Sequence, residues 1–341
     1  MPGALAERLT SQLLAGPQAK SPVEVAERLL AIQAQDPRGA RLAVRARSEG
    51  LSASDVDRAL SEERTLLITT LNRGTLHLVR TEDYPWLQAL TTPPLFQGSA
   101  RRLEQERVSP ADAERAVALI ARWLADEGPL TRSELRTRLS EAGIRTDGQA
   151  FVHVVLLASI RGLIVRGPVI DRQHAFVLVR DWLGEQQPVD RDVALAELAR
   201  RYLAGHGPAS DRDLARWAGL PLRDARAGLE AIASRLDQRD DGLVDLAGKP
   251  PPAGLPEPRL LGSFEPVLLG WASREEIVGA NERALVSGGI FRPFATVRGR
   301  AVGTWRLNRE SVELEPFGRI SREDAGALRR DAADVERFLS S

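Results

Sequence analysis

Residues 123–135, WLADEGPLTRSEL, and residues 202–214, YLAGHGPASDRDL, are two versions of one pattern. Each reads aromatic-Leu-Ala, then Gly-Pro, then a hydroxyl residue opening a charged run that ends in acid-Leu. Gly128 and Gly207 stop one helix, Pro129 and Pro208 bar its continuation, and Thr131 or Ser210 caps the next. A fainter copy is Leu13-Leu14-Ala15-Gly16-Pro17, followed by Ser21-Pro22-Val23-Glu24, a capping box with proline at the first helical position. Three copies of helix, Gly-Pro turn and helix predict three tandem helix-turn-helix units.

Strands are expected after each unit. Beyond a helix around residues 54–60, the run Thr65-Leu66-Leu67-Ile68-Thr69-Thr70-Leu71-Asn72-Arg73-Gly74-Thr75-Leu76-His77-Leu78-Val79 is too rich in β-branched residues for a favoured helix. After the second unit, residues 163–166 and 175–179 flank polar residues that include Asp171, Arg172 and Gln173, the pattern of a hairpin wing. The third unit, around residues 194–233, leads into Leu243-Val244-Asp245-Leu246. Helices followed by a short wing is the winged-helix plan. The linker Lys249-Pro250-Pro251-Pro252-Ala253-Gly254 then opens a part with more strand character, in which residues 294–305 read as a hairpin turning at Arg298-Gly299. The predicted class is α+β, predominantly α: three winged-helix units over residues 1–105, 106–185 and 186–250, and a β-rich portion over 251–341.

Composition narrows the chemistry. The 341 residues suffice for two or three units of about 100–200 residues each, and 43% hydrophobic residues indicate a globular chain. No apolar run is long enough for a signal peptide or membrane span, so a cytoplasmic protein with no membrane partner is expected. The chain has no cysteine, which excludes disulfides, thiolate nucleophiles and cysteine-held metal. The four histidines, His77, His153, His174 and His206, show no metal-ligand spacing, so neither metal nor cofactor is expected. Net charge is zero, which argues against indiscriminate nucleic-acid binding. The cations are almost all arginine, since only Lys20 and Lys249 are lysines. GC-rich codon usage explains most of that bias, yet guanidinium groups also suit phosphates. Two stretches are locally basic: residues 36–48 carry Arg38, Arg41, Arg45 and Arg47 against one acid, and residues 287–306 carry Arg292, Arg298, Arg300 and Arg306 against none.

A second stretch, Leu30-Ala31-Ile32-Gln33-Ala34-Gln35-Asp36-Pro37-Arg38, places two glutamines ahead of Asp-Pro. Val25, Leu29 and Ile32 form an apolar stripe on the helix that begins at Pro22. Asp36 precedes proline and is biased away from the helical region, so the helix should loosen near residues 33–35 and restart at Pro37. If the backbone extends there, side chains at i and i+2 point the same way and both amides face one side. The next helix would then set Arg38, Arg41 and Arg45 beside them at i, i+3 and i+7. Ordinary caps for the amides and a solvated face for the arginines fit the same pattern.

These residues resemble the AlkZ/YcaQ-type winged-helix DNA glycosylase superfamily. Gln33-Ala34-Gln35 matches its Gln-x-Gln signature in the form typical of the AlkZ-like branch, and Asp36-Pro37-Arg38 continues it. Arg73-Gly74-Thr75-Leu76-His77 matches a second hallmark. Further echoes are residues 148–153, Arg161-Gly162-Leu163-Ile164, residues 262–270 and Gly303-Thr304-Trp305, so the resemblance runs from about residue 10 to 310. It departs from the pattern at Thr70 and Asn72, where Trp and Met are usual, and at Glu265, where Asp is usual. The resemblance implies a concave scaffold of three winged helices that acts, as a monomer, on double-stranded DNA carrying N7-alkylated purines, some members unhooking interstrand crosslinks.

On the same basis Gln33 and Gln35 are the catalytic pair, with Asp36 either an auxiliary base or a helix cap. An N7-alkylated purine is a cationic leaving group that needs no general acid. What remains is to position water and to stabilise an oxocarbenium-like sugar, which amide carbonyls can do. A lyase step would need an amine, and neither lysine lies in the motif, so a monofunctional glycosylase is expected. The expected DNA contacts are Arg38, Arg41, Arg45, Arg73, Thr75, His77, Arg292, Arg298 and Arg300. The hairpin turning at Arg298-Gly299 is either a groove-inserting element or an ordinary exposed turn. His77 is either a contact to phosphate or base, or a structural histidine, and His153 is expected to be structural. The competing readings are a non-catalytic winged-helix DNA-binding protein or transcriptional regulator, and a member that binds lesions without excising them.

Overall fold

The computed structural model describes residues 4–170 and 173–340. About half of the chain is helical, and the chain forms two compact units: Met1–Ala59 with Leu195–Ser341, and Leu60–Ala194. Asp171 and Arg172, expected at a wing tip, lie outside the described residues.

In the second unit the β-branched run becomes the hairpin Leu66–Leu71 and Thr75–Arg80, which pairs Thr69 with His77 and Leu71 with Thr75. Its loop turns through Arg73 at φ 58° and Gly74 at φ 75°. Five helices follow, Tyr84–Thr91, Phe96–Gln105, Pro110–Glu127, Arg132–Glu141 and Ala150–Ile160, and then the antiparallel strands Ile164–Ile170 and Gln173–Leu178. The two hairpins join one sheet where Ile68 meets Arg166. Leu135, Phe151, Val154, Ile160 and Phe176 centre the core.

The first unit contains the helix Arg191–His206 from Leu195 onward, the helices Asp211–Ala218 and Leu222–Ala231, and a short hairpin, Leu236–Gln238 with Val244–Leu246. The repeated motif is thus visible in the backbone. Thr131 and Ser210 each form a full capping box, with Glu134 and Asp213 reaching back to the cap. Leu130 and Ala209, each one residue past a Gly-Pro, bridge to the following hairpin at Phe176 and Val244. In the N-terminal copy Ser21 caps Pro22–Leu29, but Glu24 returns to the amide of Lys20 instead of that of Ser21.

The C-terminal part holds four antiparallel strands, Arg259–Leu261, Phe294–Val297, Arg300–Asn308 and Ser311–Pro316, with the tight turn at Arg298-Gly299. Both turn residues have positive φ, 50° and 74°, the geometry a two-residue hairpin loop requires. The chain then forms a 19-residue helix, Arg322–Ser340, which strand character alone did not reveal. Ser321 begins it by accepting from the amide of Asp324.

Candidate active site

The helix carrying the apolar stripe ends at Leu29, earlier than its periodicity suggests. Leu30 adopts φ 64°, strained for a branched side chain, and is held there by complete burial. Ile32 is therefore strand, not helix. Because the backbone extends through Ile32 and Gln33, the two amides do turn to the same side: Gln33 Nε2 donates to Gln35 Oε1 at 2.6 Å. Gln33 is buried at 6% exposure, whereas Gln35 is exposed.

Pro37 restarts the helix, Pro37–Arg45, as its sequence predicts. Asp36 caps it, with Oδ1 accepting from the amide of Arg38 at 3.0 Å. Its other oxygen, Oδ2, accepts from the hydroxyl of Ser263. The backbones touch at the same place. A Cβ on Gly39 would run into the carbonyl of Ser263 and lie 2.7 Å from its Oγ, so only glycine permits the approach.

The basic stripe divides once the helix packs. Arg38 is exposed. Arg41 is partly buried and donates through Nε to Asp57 at 2.9 Å and through Nη1 to the carbonyl of Pro37. Arg45 is a correction to the sequence reading. It is 2% exposed and bonded to Asp331 and Asp334, at 2.9 and 3.0 Å, and to the carbonyl of Leu260. A guanidinium committed in this way has no access to phosphate. Arg47 is likewise inside, paired with Glu265 at 2.5 Å, both fully buried.

His77, Arg73 and Thr75 belong to the second unit. His77 is buried, with Nδ1 2.9 Å from the carbonyl of Thr75. Burial, reinforced by the positive charge of Arg73, lowers its pKa to about 3. It is therefore a neutral, structural histidine and not a cation for phosphate. Thr75 Oγ1 donates to the carbonyl of Asn72, and Arg73 occupies the strained loop position. At the two departures from the hallmark, Thr70 is buried, and Asn72 is fully buried with no hydrogen-bond partner among the described residues for either amide atom of its side chain. His153 is half-buried on its apolar helix, and burial lowers its pKa as well.

Arg292, Arg298 and Arg300 are exposed. The hairpin tip does not project, however: a Cβ on Gly299 would collide with Leu9, so the turn is seated on the helix Leu5–Ser11. That packing removes the freedom an inserting hairpin needs. Arg306 pairs with Glu313 at 2.7 Å. The one lysine outside the exposed surface, Lys249, donates to Asp245 at 2.9 Å and to Ser11 at 2.7 Å. Sequence reading did not single out Ser263. Its only trace was Gly262-Ser263 within a longer echo, and the partner glycine, Gly39, lies 224 residues earlier.

A paired-amide site at a helix break, in a chain that repeats a helix, a Gly-Pro turn and a capped helix, has a match among known proteins. The family model for DNA glycosylase AlkZ-like matches residues 26–338, and the chain belongs to that family. Its sequence is similar to the interstrand DNA cross-link repair glycosylase of Streptomyces sahachiroi, 28% identical over 97% of this chain and 94% of that protein. Its fold is similar to the solved Streptomyces sahachiroi DNA glycosylase AlkZ, with TM-score 0.79 and 26% identity over 98% and 95% of the two chains.

Proposed function

We propose that this glycosylase hydrolyses the N-glycosidic bond of N7-alkylated purines in double-stranded DNA, including purines tethered in interstrand crosslinks, and leaves an abasic site. The observation that carries the reading is the amide pair, Gln33 on Gln35, at the extended break before Pro37. A neutral amide cannot deprotonate water at neutral pH. It can orient water and face its carbonyl dipole towards developing positive charge. That suffices when the base is already cationic. The bond from C1′ to N9 breaks with its electron pair moving into the base, which leaves neutral. Water adds to C1′ and its surplus proton passes to solvent. The name of the Streptomyces relative supports extending the substrate to crosslinks.

Three further parts belong to this reading. The three helix-turn-helix repeats act as winged-helix units. Arg38, Arg292, Arg298 and Arg300 of the first unit, and Arg73 and Thr75 of the second, contact the DNA. The enzyme has no lyase step, in keeping with the Lys249 amine being tied to Asp245 and Ser11. Incubation with methylated duplex and with a duplex crosslinked through guanine N7 tests the proposal. Released N7-methylguanine and an unhooked strand are expected, with the rate reduced by about 10²–10³ in Gln35→Ala. Tight binding without any base release from either duplex would overturn it.

A further inference from the structure

We propose that Ser263 is a positioning residue of the excision site, and that through it Asp36 acts as an anchor for the amide pair and not as a base. The inference rests on the glycosylase reading above and adds a residue to it.

Asp36 follows Gln35 directly and has both carboxylate oxygens engaged, Oδ1 by the amide of Arg38 and Oδ2 by the hydroxyl of Ser263. The first contact fixes the start of the helix Pro37–Arg45. The second ties that start to the chain 227 residues later. Ser263 itself is held firmly. Gly262 lies so close to Gly39 that a Cβ on Gly262 would sit 3.1 Å from the Gly39 Cα and 3.0 Å from its carbonyl oxygen. On one side of Ser263, Leu260 accepts from Arg45 at 2.9 Å. On the other, Phe264 takes φ 54° and Glu265 is buried against Arg47. Residues 260–265 are thus stapled to the helix and its C-terminal end by three independent contacts, through Arg45, Gly39 and Arg47. The Ser263 hydroxyl carries that rigidity to the residue beside Gln35.

Such an anchor matters more here than at a carboxylate site. A neutral amide acts only through the placement of its dipole, and a displacement of about 1 Å can cost on the order of 10²-fold in rate. Gln35 is exposed; the bond from Gln33 orients its amide, and the anchor at Asp36 holds the backbone that carries it.

The test compares single-turnover release of N7-methylguanine and duplex affinity for wild type, Ser263→Ala, Asp36→Ala and Asp36→Asn. Asparagine keeps both contacts, its oxygen accepting from Arg38 and its NH2 donating to the serine oxygen, and it caps helices as well as aspartate. Ser263→Ala and Asp36→Ala are expected to slow chemistry by about tenfold or more at unchanged duplex affinity. Asp36→Asn should stay within about threefold of wild type, with the same pH–rate profile. A wild-type rate in Ser263→Ala overturns the clamp. An Asp36→Asn variant as slow as Asp36→Ala overturns it too, because the carboxylate would then be acting chemically. If Ser263→Ala does not fold, the two Asp36 variants decide the matter. A wild-type protein that releases nothing from methylated or crosslinked duplex removes the glycosylase reading and this proposal with it, an outcome distinct from an active wild type with an indifferent Ser263.

Discussion

Gln33 and Gln35, two residues apart, are joined by a 2.6 Å hydrogen bond from the buried amide to the exposed one. The buried partner therefore orients the exposed partner. Gln33→Met keeps the length and apolar contact of the side chain but removes the donor. We expect its single-turnover excision rate to fall by about 10–10²-fold, with duplex affinity unchanged and the thermal midpoint close to wild type by calorimetry. A rate equal to wild type would show that Gln35 needs no such orientation.

Arg38 and Arg45, at the two ends of the helix Pro37–Arg45, should respond in opposite ways. Arg45→Ala removes the main cationic partner of the Asp331 carboxylate, 11% exposed, which keeps only the amide of Leu260 and Arg259 at 4.0 Å, and should cost about 3 kcal/mol in urea unfolding. The salt dependence of DNA binding by the folded fraction should not change. Arg38→Ala should leave stability within about 0.5 kcal/mol and lower the slope of log affinity against log salt by about one.

Acid should destabilise the protein before its carboxylates titrate. His206 is buried between Tyr202, stacked at 4.7 Å, and the edge of Trp271, and burial lowers its pKa to about 3; His77 is lowered equally. Both folded values lie below the ordinary 6.5, so the unfolded chain binds more protons between pH 6.5 and 3. The stability these histidines confer is complete above pH 6.5 and lost as pH falls. Between pH 7.5 and 5 each should remove about 2 kcal/mol. His206→Phe, which preserves stacking, should flatten the profile by about half, as denaturant titrations at the two pH values would show.

Gly39→Ala introduces a methyl group where the carbonyl of Ser263 already sits. A loss of about 1–3 kcal/mol is expected from the overpacking. Excision should fall further than that loss explains, because the helix start next to Gln35 must shift. A stable variant with wild-type turnover would contradict the close approach.

Much of the fold was legible because its signals are local. The Gly-Pro stops, the Thr131 and Ser210 caps, the hairpin at Arg298-Gly299 and the restart at Pro37 each depend on residues a few positions apart. The helix end at Leu29 was misplaced because Ile32 continues the apolar stripe although it belongs to a strand, and apolar spacing alone does not distinguish the two over so short a run. The C-terminal helix was hidden for a similar reason: the strands before it dominated the reading of that region.

The sequence by itself determined where helices stop and restart, and so that two amides would sit at an extended break. Only the tertiary structure decided which groups around that break are usable. Arg45 reads as a surface cation until Asp331 and Asp334, 286 and 289 residues away, draw it inside. Asp36 reads as a possible base until Ser263, 227 residues away, takes its second oxygen. Periodicity and capping report interactions within about one helical turn. Whether a charge is desolvated, or a carboxylate engaged, depends on partners that only folding brings near.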